Sequence, residues 1–206
     1  SHVTFSGFAH TLTPMAAVRE MIRQGKKHLI MTGIAECWAA DMLIGAGAID
    51  KLYLSNFMFE GYGLCRNFSR AVENGTLPVE DYSHFSLASR FAAAALGVPY
   101  LPVKSMLGSD ILEKGFEKHK YEVAKCPFTG DQVLLLPAVR PDYAIIHGHR
   151  ADDKGNIQIV GAKAVIEEQV RAARTVIATV EKIVDTDCIR NNPEVTVIPG
   201  FLVSAV

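Results

Sequence analysis

Short strand-like runs alternate with amphipathic segments through the first hundred residues of this chain, and that alternation leaves few folds open. Apolar runs stand at residues 3–5, 28–32, 51–56 and 76–82. Segments of helical spacing follow at 14–24, 36–44, 64–73 and 87–96. The run at 28–32 is continuous rather than alternating, as strands covered on both faces are. Four strand–helix repeats of this kind predict an α/β fold, an open and mostly parallel sheet with helices on both faces. The helix stops agree. Gly25, Asn74-Gly75 and Gly97-Val98-Pro99 close three helices, and Ser83 stands where the cap of the fourth belongs.

The second half changes character. Residues 100–115 are loop-rich and include Gly108-Ser109-Asp110. Residues 133–136 and 143–149 read as strands. Asp152-Asp153-Lys154-Gly155-Asn156 is a strong turn into 157–160. A helix over 165–173 and a buried strand over 176–180, running into Glu181, complete the pattern. The class stays α/β, with a small hairpin-like β excursion. At 206 residues and 49% hydrophobic, the chain is expected to form one domain with a sizeable core. It starts directly in a strand and stops in an apolar run, so the domain reads as truncated at both ends.

Charge narrows the function. With 21 basic and 22 acidic residues, nothing marks a nucleic-acid or membrane-surface binder. The cluster Arg23-Gln24-Gly25-Lys26-Lys27 lies at a helix end, where cations complement the dipole. Cys37, Cys65, Cys126 and Cys188 are scattered without a Cys-x-x-Cys pair, as in a reducing cytoplasm. No apolar run reaches the length of a membrane span, and no export leader is visible.

The opening stretch, Val3 to Pro14, carries the chemistry. A strand climbs into Ser6-Gly7, Phe8 follows, and Pro14 sits at the start of a helix. Glycine beside a small hydroxyl residue lets a ligand approach the backbone and frees N–H groups to face it. On spacing alone, an ordinary strand-to-helix connection is the favoured reading.

Three other patterns favour bland readings. His147-Gly148-His149 with Asp152 suggests metal ligands, since alternate strand residues share a face, but no third ligand is identifiable and no metal is expected. Gly45-Ala46-Gly47 resembles half of a dinucleotide fingerprint, yet its glycines end a helix instead of opening one. Cys37, next to Glu36 and Trp38, lacks a histidine placed by sequence to activate it.

With these residues in view, the sequence resembles the α (A) subunits of family I CoA-transferases, nearest to the glutaconate type. That family opens with a Gly-Gly-Phe turn, three residues, then Gly-x-Pro. Gly7-Phe8 and Pro14 fall in register, while Ser6 and Leu12 replace the two other glycines. Further matches run in order: Asp41-Met42-Leu43-Ile44-Gly45, Val79-Glu80-Asp81-Tyr82-Ser83, Ala95-Leu96-Gly97-Val98-Pro99, Gly108-Ser109, Cys126-Pro127-Phe128, Ile145-Ile146-His147, Gly155-Asn156 and Ile198-Pro199-Gly200.

The resemblance implies a three-layer, NagB-like fold and a partner β subunit. It places the nucleophile, a glutamate that forms a glutamyl-CoA thioester, on that partner, so no catalytic nucleophile is expected in this chain. Ser6, Gly7 and Phe8, with Gly108 and Ser109, would bind substrate and support oxyanions, and His10 would line the pocket. Coenzyme A enters as co-substrate, alongside a small carboxylic acid, with no permanently bound cofactor. Glu73-Asn74-Gly75 imitates the nucleophile's context but reads as a helix exit. The alternatives are a subunit of a related CoA-ester hydrolase or ring-opening enzyme, and a non-catalytic binding subunit.

Overall fold

The computed structural model describes residues 1–114 and 120–206. Its first half builds four strand–helix units: β1 (His2–Phe5), α1 (Met15–Arg23), β2 (Leu29–Glu36), α2 (Trp38–Gly45), β3 (Ile49–Phe57), α3 (Arg66–Glu73), β4 (Val79–Asp81) and α4 (His84–Ala95). β5 (Tyr100–Val103), β6 (Glu122–Lys125) and β7 (Gln132–Pro137) follow. The chain then returns through β8 (Tyr143–Ala151), β9 (Ile157–Gln158), α5 (Ile166–Ala172), β10 (Thr175–Ile183), α6 (Thr186–Arg190) and β11 (Thr196–Ile198).

Six strands lie parallel in the order β10-β8-β1-β2-β3-β4. β8 carries β10 along one edge, and Tyr143 to Ile145 pair with β1 on the other. Beyond the end of β1 that second edge takes β9, which pairs antiparallel at Arg150 and Ala151 and carries β11. A separate antiparallel sheet, β5-β7-β6, stands apart.

Both faces of the main sheet are covered, as the continuous apolar run in β2 requires. On one face, Val3, Phe5, Met31 and Leu52 pack with Val18 of α1, Leu43 of α2 and Phe68 of α3. Neighbouring strand residues point the other way. Thr4 takes a hydrogen bond from Gln169 of α5, and Ala144 and Ile146 pack with Ile166 and Val170 of that helix. α4 presents Leu87 and Phe91 to Ile34 and to Leu134 and Leu136 of β7. Each fully buried Phe or Leu contributes about 1.5–3 kcal/mol through area removed from water.

Several boundaries differ from the sequence expectation. β2 runs on through Glu36, which pairs with Phe57, so α2 begins two residues later than expected. The strand expected over 76–82 shortens to Val79–Asp81. Within the stretch read as loop, Tyr100–Val103 is a strand paired to β7; the last residue of that stretch, Gly115, lies outside the described residues. The single β excursion becomes two, the β5-β7-β6 sheet and the β8–β9 hairpin. Among the described residues, no helix is long and apolar enough to cross a membrane.

Candidate functional site

In an open parallel sheet, ligands are sought where the strands end. That edge carries the turn after β1, the bend at Cys37 after β2, the loop from Met58 to Cys65 after β3, and the start of α4 after β4.

The turn after β1 is tightly bonded. Ser6 is buried; its N–H donates to Ile145 O at 3.0 Å. Its hydroxyl donates to Leu12 O at 2.6 Å and accepts from the His147 N–H at 2.8 Å. Gly7 holds φ +124°, and a Cβ there would lie 2.7 Å from Thr11 O, so only glycine fits. Phe8 and Thr11 exchange backbone hydrogen bonds of 3.2 and 3.1 Å. The N–H groups of Ser6 and Phe8 are therefore spent on the protein's own carbonyls. The Gly7 N–H has no acceptor among the described residues.

The turn is stitched to its neighbours. Ala9 N–H donates to Ala35 O at 3.0 Å, the Cys37 thiol to Ala9 O at 2.6 Å, and Met58 N–H to Glu36 O at 3.2 Å. His10 sits in an aromatic group with Trp38, Phe59 and Tyr62. The indole N–H of Trp38 can only donate, so His10 Nδ1 accepts it, at 2.9 Å. Nε2 then carries the proton and donates to Phe59 O at 3.2 Å. Both ring nitrogens are engaged inside the protein, so His10 clasps three loops together. Cys37 lies 3.8 Å from Nδ1, and burial pushes its thiol up to about 11, far from a reactive thiolate.

The second predicted pair lies in the loop after β5. Gly108 has φ +75° with open space around its missing Cβ, and its N–H has no acceptor among the described residues. Ser109 spends both its N–H, at 3.1 Å, and its hydroxyl, at 2.7 Å, on Met106 O. The start of α4 reaches both regions. The His84 ring lies 6.1 Å from that of Phe8, which is 44% exposed, and Ser83 bonds to Ser105 at 2.5 Å. Ser83 also caps α4 by accepting from Ser86 N–H at 3.0 Å, leaving the first N–H groups of the helix at the edge.

Two residues here lie beyond what the sequence alone signals. His84 is the exposed first residue of α4. Ser83 is its one available cue, because a capping serine after a strand sets the next residue at a helix mouth. Glu36, expected to be helical, instead ends β2 and is buried; burial pushes its carboxyl up to about 8.

The bland patterns take ordinary positions. Asp152 accepts from Lys154 N–H, Asn156 N–H and the Asn156 amide, which makes it a turn residue. His147 bonds Thr179 at 2.8 Å, and burial lowers its pKa. No group of three metal-ligating side chains occurs among the described residues. Gly47, at φ +64°, closes α2, and Gly45 gives room to Asn67, whose amide would meet a Cβ at 2.7 Å. Glu73 ends α3 and Gly75 follows at φ +66°, a helix exit.

Comparison with known proteins gives a consistent result. The family model described as coenzyme A transferase matches residues 1–206. An uncharacterised Archaeoglobus fulgidus protein is 41% identical over 100% of this chain, which spans 45% of that protein's length. The α (A) subunit of the 3-oxoadipate CoA-transferase of Pseudomonas knackmussii is 40% identical over 99% of this chain and 71% of its own. The crystal structure of glutaconate coenzyme A-transferase from Acidaminococcus fermentans superposes with a TM-score of 0.94 at 34% identity, covering 100% of this chain and 69% of that one.

Proposed function

The chain belongs to the coenzyme A transferase family, and from that premise we propose that it is the α (A) subunit of a two-subunit enzyme moving coenzyme A between small carboxylic acids. The observation that carries this reading is a similarity running along the whole chain to proteins named as A subunits of CoA-transferases. The carboxyl edge has the chemistry that such a role needs. Gly7 and Gly108 offer N–H donors to an oxyanion in the manner of preorganised backbone amides. The start of α4, with its partial positive charge, favours the acid's carboxylate, and His84 stands beside it. Phe8 forms an apolar wall for the acyl chain.

The nucleophile belongs to the partner. Its glutamate attacks the acyl-CoA carbonyl and releases CoA thiolate, leaving an acyl–glutamyl anhydride. The thiolate attacks the glutamyl carbonyl of that anhydride, giving glutamyl-CoA and the free acid. The acceptor acid reverses both steps and leaves as its CoA ester. Coenzyme A is thus a co-substrate.

The test incubates the protein, assembled with its β partner, with acyl-CoA and then reads both chains by mass spectrometry. A CoA adduct on a glutamate of the partner, discharged by added acid, is the expected result. An adduct on this chain overturns the assignment. Steady release of free acid to water without any adduct favours the hydrolase alternative.

A further inference from the structure

The buried carboxylates of this protein are answered by partners, with one exception among the described residues. Asp41 is bonded by Asn67 and the Phe68 N–H, Glu80 by Lys120 at 2.7 Å, and Asp152 by the turn it initiates. Glu36, 7% exposed, has no hydrogen bond or ion pair to its side chain. Buried polar groups are nearly always satisfied, so a carboxyl with no protein partner, its oxygens still touched by solvent, calls for an explanation.

Its location suggests one. Glu36 ends β2 between the two loops that frame the edge: Ala35 before it accepts from Ala9 of the β1 turn, and its own carbonyl accepts from Met58 beyond β3. The side chain folds back over Gly33. A Cβ on Gly33 would lie 2.2 Å from Glu36 Cγ and 2.5 Å from Oε1. The strand thus carries a glycine, poor for strand stability, at the one place that accommodates this carboxyl.

We propose that Glu36 is a specificity-determining residue of the acid-binding site, donating a hydrogen bond from its neutral carboxyl to a carboxylate or carbonyl oxygen of the bound acid. The proposal rests on the carboxylic-acid reading above. The titratable groups that interact with it are Cys37, next to it in sequence, and Cys65 before α3. No ion pair to Glu36 occurs among the described residues, and burial pushes its carboxyl up to about 8, which keeps it protonated through neutrality. Above about pH 8 the donor becomes an anion that repels the acid.

The experiment measures binding of four- to six-carbon dicarboxylates to the assembled protein by calorimetry, alongside KM and kcat for exchange. E36A is expected to weaken acid binding about tenfold or more, the scale of a hydrogen bond to a charged group, with KM rising more than kcat falls. E36Q, which keeps a donor, restores affinity and removes the weakening seen in wild type above pH 8. If E36A does not fold, the E36Q pH profile decides. Equal acid affinity in wild type and E36A, or a wild-type profile that E36Q leaves unaltered, overturns the proposal. Failure of CoA exchange with every acid defeats the transferase reading alone, because calorimetry still reads Glu36.

Discussion

Ser6 makes its hydroxyl serve as both donor and acceptor, joining the Leu12 carbonyl on one side to the His147 N–H on the other. Where the family pattern has glycine, this chain has a side chain that locks its turn to β8. Gly7, next to it, has no such latitude. With φ +124° and Thr11 O in the way, Gly7→Ala must distort the turn or lose it. The expected cost is about 1–3 kcal/mol, measured by denaturant unfolding, with transfer activity falling further because the free Gly7 N–H is displaced. An alanine variant of wild-type stability and activity refutes that account. Neither the spent N–H of Ser6 nor the clasped ring of His10 was visible in sequence, because their partners are brought in from β8, from the start of α2 and from the loop after β3.

Among the elements, α2 and α3 depend on one carboxylate. Asp41 accepts from the Phe68 N–H and the Asn67 amide, both at 2.9 Å, and so caps α3 from the neighbouring helix. Asp41→Ala strands these half-buried donors and is expected to cost about 2 kcal/mol, with Asp41→Asn recovering part of it, both read from unfolding curves. The strand–helix alternation was legible because apolar runs, Ser83 and the closing glycines are local signals. Glu36 misled because a polar residue next to an apolar run looks like a helix start, whereas pairing with Phe57 keeps it in the strand. β6, an exposed edge strand of four residues, carries no apolar pattern and exists through its ladder with β7. His84 and Glu36 reach the candidate site only through tertiary placement, and local spacing does not encode that.

At the scale of the whole molecule, half-buried His2 and buried Glu36 tilt stability with pH in opposite directions. Burial, aided by Arg90, holds His2 down at about 4, below its ordinary 6.5. The unfolded chain therefore binds an extra proton between those values, and stability is lost as pH falls from about 6.5 to 4. Glu36 is raised from 4.5 to about 8, so its contribution is present below 4.5 and lost as pH rises toward 8. The stability difference between wild type and His2→Gln is expected to shift against wild type on acidification across the first window. For Glu36→Gln it shifts against wild type on alkalinisation across the second. Parallel curves for wild type and either variant, measured by urea unfolding at a series of pH values, contradict the corresponding assignment.

The bond between Ser6 and His147 also has a kinetic meaning. Its two ends are 141 residues apart in sequence, and β1 lies between β2 and β8 in the sheet. During folding, then, β1 can settle against β2 early, while its other edge waits for β8 to be made and inserted beside it. The turn at the front of the chain acquires its final shape only when the back half arrives. A turn so placed cannot be complete until strands from both halves of the chain lie on either side of β1.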